Sequence, residues 1–203
     1  MNSPALPRAA LVLMCGRSFS GKSTVAVQLA LDLDAEIVSL DSINEERGLF
    51  GGQGISVEEW IRTNDEAARR VSRLVRTGRH VVLDDTSSPR FLRDNWRALA
   101  ADATVAFVLV YVDAPDQVRR ERLLKNRQQP KRDDVLDEVM IGHLETFQPP
   151  EPDEEYLATS SSAEEMCSLV AAVRRVISDA QGNVARSLRR YGRQKRFCRG
   201  LGR

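Results

Sequence analysis

Residues 9–24 read AALVLMCGRSFSGKST, and this stretch decides the fold. Ala9 to Cys15 is a continuous apolar run, the pattern of a strand buried on both faces. Gly16 to Ser23 completes a G-x-x-x-x-G-K-S pattern, and Val25, Leu29 and Leu33 then share one helical face. A strand, a glycine-rich turn and a helix in that order make a phosphate-binding P-loop. Gly16 and Gly21 let the backbone approach a polyphosphate with no Cβ in the way. The amides of Arg17, Ser18, Phe19 and Ser20, with the helix N-terminus, turn partial positive charge toward the anion. Lys22 adds a full charge at the β- and γ-phosphates, the Ser23 hydroxyl suits Mg²⁺, and Thr24 closes the cradle. ATP and Mg²⁺ are therefore the expected cofactors.

The chain has 203 residues, enough for one domain with a sizeable core. Its formal net charge is +1, but no acid follows Asp179. The last 21 residues carry eight basic groups, so the remainder holds 22 basic against 29 acidic residues, or −7. We therefore expect a P-loop domain over residues 1–182 and a basic, flexible tail over 183–203. Arg186, Arg189, Arg190, Arg193, Lys195 and Arg196 could meet nucleic-acid phosphates, or the tail is simply solvated. The three cysteines are too few and too widely spaced for a zinc site or a disulfide framework, which points to a reducing, cytoplasmic setting. No apolar stretch is long enough to span a bilayer, and a membrane partner is not expected.

Outward from the P-loop, the pattern alternates. Residues 1–8, with two prolines, read as a loose leader. Strands are expected at 36–40, 80–83, 104–112 and 156–159, and helices at 22–33, 56–78, 89–100, 116–126, 133–147 and 163–180. Ser56, with Glu59 three residues on, predicts a capping box. The glycine-rich 48–54 segment and the basic 127–132 segment read as loops. Such alternation indicates a parallel sheet covered on both faces, with the ligand at the carboxyl ends of its strands.

Three acids stand at those ends: Asp41, Asp84 and Asp113. Asp84 follows an apolar strand and can hold the Mg²⁺ shell; Asp85 beside it points the other way, and only one of the two should face the metal. Asp41 can take a proton from an acceptor hydroxyl, or it caps a helix. Asp113, in Asp-Ala-Pro, reads as a turn residue. Arg119, Arg120, Arg122, Arg127, Lys131 and Arg132 form a basic cluster suited to phosphoryl oxygens, although part of it is expected to be a solvated helix face.

The anchors GRSFSGKST at 16–24, SLDSI at 39–43, VVLDDTSSPRFLR at 81–93, VYVDAP at 110–115 and ERLLKNR at 121–127 resemble one group of P-loop kinases. That group comprises polynucleotide kinase, chloramphenicol phosphotransferase, zeta toxin and seryl-tRNA kinase. The resemblance covers roughly residues 9–160. It implies a three-layer α/β sandwich with a five-stranded parallel sheet in the order 2-3-1-4-5 and a small lid at about 116–132. It also implies transfer of the γ-phosphate of ATP to a hydroxyl. Asp41 would act as base, Asp84 would serve the metal, Thr86 and Arg93 would complete a D-x-T…R pattern, and Arg122 and Arg127 would close on the phosphates. Where polynucleotide kinases carry an arginine, this chain has Asn44, which favours a small-molecule acceptor over a nucleic acid or tRNA. A nucleotide-gated switch that binds a partner is the other alternative.

Overall fold

The computed structural model describes residues 9–50, 54–130 and 137–200, without the side chains of 138–140, 143–144 and 183–200. The expectations for the 1–8 leader, for 51–53, for Lys131 and Arg132, and for helix over 133–136 lie outside the described residues. Five parallel strands form one sheet in the order β2-β3-β1-β4-β5. Strand β1 (Ala10–Cys15) is central, and all six of its residues are buried. It pairs with β3 (His80–Asp84) on one side and β4 (Ala106–Val112) on the other. Strands β2 (Ala35–Ser39) and β5 (Tyr156–Thr159) form the edges.

Side chains alternate across the pleat, so β1 feeds two cores. Leu11, Leu13 and Cys15 pack with residues of α3 (Val57–Arg76) and α4 (Arg90–Asp102), and with Leu40 and Ile43 of α2 (Leu40–Glu46). Ala10, Val12 and Met14 face α1 (Lys22–Leu33) and α7 (Ala163–Gly200) on the opposite side. The remaining helices, α5 (Asp116–Gln128) and α6 (Asp137–Thr146), lie between β4 and β5 in the chain.

Several boundaries differ from expectation for local reasons. Strand β2 stops at Ser39, whose hydroxyl accepts from the Ser42 amide and starts α2, a helix that the sequence pattern does not predict. Asp41 thus lies in the first turn of a helix, where its charge suits the dipole, but the cap itself is Ser39. At α3, Ser56 accepts from the Glu59 amide as expected. Glu59 does not complete the capping box, because its carboxylate instead pairs with Arg47 and Arg62. Arg127 belongs to α5 rather than to a loop. Helix α7 runs past Gly182 to Gly200, where the sequence suggested a stop and a flexible tail. One glycine costs a helix only about 1 kcal/mol, and the Ala, Leu, Arg and Lys that follow are good helix formers.

Candidate active site

The P-loop joins β1 to α1 and takes its shape from two glycines. Gly16 has φ +148°, and a Cβ there would lie 2.5 Å from the Val112 carbonyl oxygen. Gly21 has φ +100°, and a Cβ would meet Ser161 Oγ at 2.7 Å and Arg122 Nη1 at 3.0 Å. The Gly16 amide donates to the Thr86 carbonyl at 3.2 Å, tying the loop to the segment after β3. Phe19 holds a left-handed φ of +61°. Lys22 is nearly buried, and its Nζ donates to the Arg17 carbonyl at 3.1 Å.

A cleft of about 650 Å³ opens over this loop. Phe19, Gly21, Lys22, Ser23 and Thr24 form its floor, and Arg122, Lys125, Asn126, Gln129 and Ser161 form its wall. Arg122, Lys125, Asn126 and Gln129 follow helical spacing, so one face of α5 supplies most of that wall. That spacing is legible in the sequence, but only the guanidinium of Arg122 marks it for phosphate. Ser161 had no local signal, since the turn after β5 carries it in. Arg122 Nη1 donates to the carbonyls of Phe19 (3.2 Å) and Ser20 (2.5 Å), and Nη2 to Ser161 Oγ (3.1 Å). The Ser161 hydroxyl donates to the same Ser20 carbonyl at 3.0 Å. Arg122 therefore braces the P-loop from its carbonyl side as well as lining the cleft. Arg127 is exposed and pairs with Asp137 at 2.8 Å.

The acids separate by environment. Asp84 ends β3, in register with Ser39 of β2, and is half-buried. Asp85 accepts from the Ser87 amide at 2.8 Å and the Ser87 hydroxyl at 3.1 Å. Burial pushes its carboxyl above the usual range, against the opposing pull of the Ser87 amide and the Lys22 ammonium. Asp85 is thus within electrostatic reach of the P-loop lysine. Asp41 is exposed at the start of α2. Asp113 is exposed, and its amide donates to the Thr159 carbonyl at 2.9 Å, holding β4 to β5 as a turn residue would. Burial, reinforced by Asp113, pushes the neighbouring Tyr111 phenol up to about 12.

Arg93 of the D-x-T…R pattern and Asn44, where polynucleotide kinases carry an arginine, both make buried structural contacts. Arg93 is fully buried and forks onto Glu154, while also donating to the Ser87 and Gln148 carbonyls. Asn44 is buried, and its side chain accepts from Thr63, which also holds Arg47. It locks α2 to α3.

The residues present fit a nucleotide with its metal. Ser20 Oγ and Arg17 Nε are buried in the P-loop with no partner, and at both glycines the loop packs so closely on its neighbours that a Cβ would displace it. Ser23 and the Asp84–Asp85 pair supply oxygen donors of the kind Mg²⁺ prefers. Among the described residues no cluster of three or more His, Cys, Asp or Glu could hold a metal by itself. That is expected where Mg²⁺ keeps water and phosphate ligands.

Residues 11–150 match the family described as an AAA domain. The chain belongs to that family. This AAA-domain protein is 31% identical to the adenylyl-sulfate kinase of Saccharomyces bayanus over 163 residues, which are 78% of this chain and 80% of that protein. A shorter segment of 49 residues is 51% identical to tRNA dimethylallyltransferase 1 of Pelobacter propionicus, spanning 15% of that protein's length. Among solved structures, Chaetomium thermophilum Kti12 with ADP-AlF3 superposes with a TM-score of 0.69 at 15% identity, covering 82% of this chain and 98% of that one. The Mycobacterium tuberculosis APS kinase with AMPPNP and APS gives 0.62 at 20% identity, covering 85% and 99%. The AAA-domain protein is thus a P-loop kinase-like domain, with the expected sheet order. No helix among the described residues is long and apolar enough to cross a membrane.

Proposed function

We propose that this domain is an ATP-dependent phosphotransferase that moves the γ-phosphate of ATP to a hydroxyl of a small molecule. The observation that carries the reading is the cleft itself. It joins the P-loop lysine and Ser23 to a cationic helix face, beside two unpartnered buried P-loop groups. Lys22 neutralises the β- and γ-oxygens, and the loop amides hold them in place. Mg²⁺, held by Ser23 and by Asp84 directly or through water, would draw charge off the transferring group. Asp85, the neighbour of Asp84 that Lys22 reaches, is the alternative outer ligand.

Asp41, exposed at the start of α2, takes the proton as the acceptor oxygen attacks phosphorus. The new P–O bond forms as the bond to the β–γ bridging oxygen breaks, and ADP leaves with that electron pair. Arg122 keeps the loop in shape and meets the phosphates from α5. Arg127 would reach them only by leaving Asp137. A finer kinship with the polynucleotide kinase and chloramphenicol phosphotransferase group belongs to this same reading.

A second reading, a nucleic-acid or tRNA-linked hydroxyl as acceptor, draws on α7, whose backbone stays helical through the basic segment 186–196. A transfer screen with γ-labelled ATP against pooled hydroxyl metabolites and RNA tests both. Label in a small product supports the first reading and label in RNA the second; ATP hydrolysis with no labelled product would favour the switch.

A further inference from the structure

Arg17 and Arg119 share a single acid. Arg119 Nη2 pairs with Asp116 Oδ1, and Arg17 Nη1 reaches the same oxygen at 3.6 Å. Arg119 is almost fully buried, whereas Asp116 is 73% exposed. Two guanidinium charges, one of them desolvated, thus face one carboxylate that water largely screens. Burying a charge is costly unless it is paired and its donors are used. Here the donors are not used up: the Nε of Arg17 and the Nε of Arg119 are both buried and unpartnered. Asp116 bonds only a terminal nitrogen of Arg119 and lies 3.6 Å from one of Arg17, so it engages neither Nε. The site is under-neutralised and has spare donors, the requirements of a second anion.

Its position indicates which anion. Arg17 is the second residue of the P-loop, and its guanidinium lies 5.3 Å from the Phe147 ring centroid. Phe147 packs in the same core as Leu40 and Ile43 of α2. Arg17 therefore leans toward the face of the sheet where α2 presents Asp41. Arg122 and Ser161 instead touch the other end of the loop, at Phe19, Ser20 and Gly21. The 13-residue helix α5 also begins at Asp116, so its free N-terminal amides add partial positive charge.

We propose that Arg17 and Arg119 form an acceptor-side anion subsite, and that the hydroxyl compound phosphorylated here carries a phosphate or sulfate group that this subsite holds. The acceptor half rests on the kinase reading above, but the subsite does not. The bound group takes the two Nε–H donors, and Asp116 sets how strongly it binds by competing for the same cations.

The test uses the full chain saturated with Mg²⁺ and a non-hydrolysable ATP analogue, so that the P-loop is filled, with inorganic sulfate as the titrant in calorimetry. We expect one further sulfate site. Arg119→Met should weaken it by about 10-fold or more, as loss of a charge-assisted contact does. Asp116→Asn should tighten it about 3-fold, because it removes the competing charge and keeps the shape. A mere clamp between the P-loop and α5 gives no sulfate binding, or the same affinity in both variants, and either result overturns the subsite.

Asp116 is largely exposed, so its variant remains informative if Arg119→Met fails to fold. Paired acceptors that differ only by a phosphate or sulfate ester test the second half. Preferential transfer to the esterified member is expected, and preference for the neutral member overturns it. Sulfate binding with no transfer to any acceptor would sink the kinase reading and leave a site for a free anion.

Discussion

Arg93 and Glu154 meet side-on, Nε to Oε2 and Nη2 to Oε1, both at 2.7 Å and with neither side chain exposed. The pair sits behind the candidate site. Arg93 also holds the Ser87 carbonyl, and Glu154 accepts from the Glu151 amide at 2.9 Å. It thereby fastens the segment carrying Asp85 to the segment that leads into β5. Glu154→Gln leaves a buried guanidinium with no counter-charge, a loss of about 3–5 kcal/mol in comparable buried pairs. Urea unfolding should show that loss. A loss under 1 kcal/mol, with nucleotide affinity strongly reduced, would mean that Arg93 belongs to the site and not to the frame.

The same pair sets an acid limit on stability. Burial alone would raise the Glu154 carboxyl, but the Arg93 fork and the Glu151 amide outweigh it and hold the group below its usual range. A depressed carboxylate contributes fully above its unfolded value of about 4.3, and the contribution is lost as pH falls through the folded value. The wild type should therefore lose stability below about pH 4.3 more steeply than Glu154→Gln. Parallel stability–pH curves for the two proteins would refute this.

Gly21→Ala should abolish nucleotide binding. The position has φ +100°, and the new Cβ would stand 2.7 Å from Ser161 Oγ. The backbone cost is about 1–2 kcal/mol, and the displaced loop amides would no longer converge on the phosphates. Calorimetry with Mg²⁺–ATP checks it; retained affinity would show that the β5–α7 turn yields and that the cradle does not depend on it.

Lys22→Ala and Asp41→Asn should separate binding from transfer. Loss of an oriented charge at the phosphates typically costs about 10²–10³ in rate. Loss of a general base costs roughly 10²–10⁴. Asp41 is exposed and outside the cleft wall, so its amide variant should bind ATP normally and transfer poorly. Equal loss of ATP affinity would place Asp41 in the metal shell instead.

Truncation after Gly182 should leave a folded domain. Among the described residues, the α7 side chains buried in the core, Leu169, Val170, Val173 and Ile177, precede the cut. The fragment should unfold cooperatively near the full-length midpoint and bind Mg²⁺–ATP. If the basic segment contacts RNA, only the full chain should bind it, with an affinity that falls steeply with salt. An unfolded fragment would mean that residues beyond 182 pack against the domain.

The sequence by itself determined the P-loop and the five strands, because an apolar run between breakers makes a buried strand. The sheet order was implied only by the resemblance to P-loop kinases, and the tertiary structure bears it out. The sequence also marked Lys22 and Ser23, which the chemistry of phosphate and Mg²⁺ calls for in that loop, and offered Asp41 and Arg122 as candidates whose roles the kinase resemblance implies. It missed the short helix α2, since seven residues carry too little periodicity to register and a serine hydroxyl starts it. Only the tertiary structure decided which charges face which. Glu59 paired with Arg47 and Arg62 instead of capping its own helix, Arg93 became a buried strut for Glu154, and Asp116 was divided between Arg17 and Arg119. The partners in two of these pairs stand 61 and 99 residues apart, Arg93 from Glu154 and Arg17 from Asp116. Local pattern records what a residue can bond. Which partner it meets, and how much water is left between them, is settled when distant segments pack together and exclude solvent.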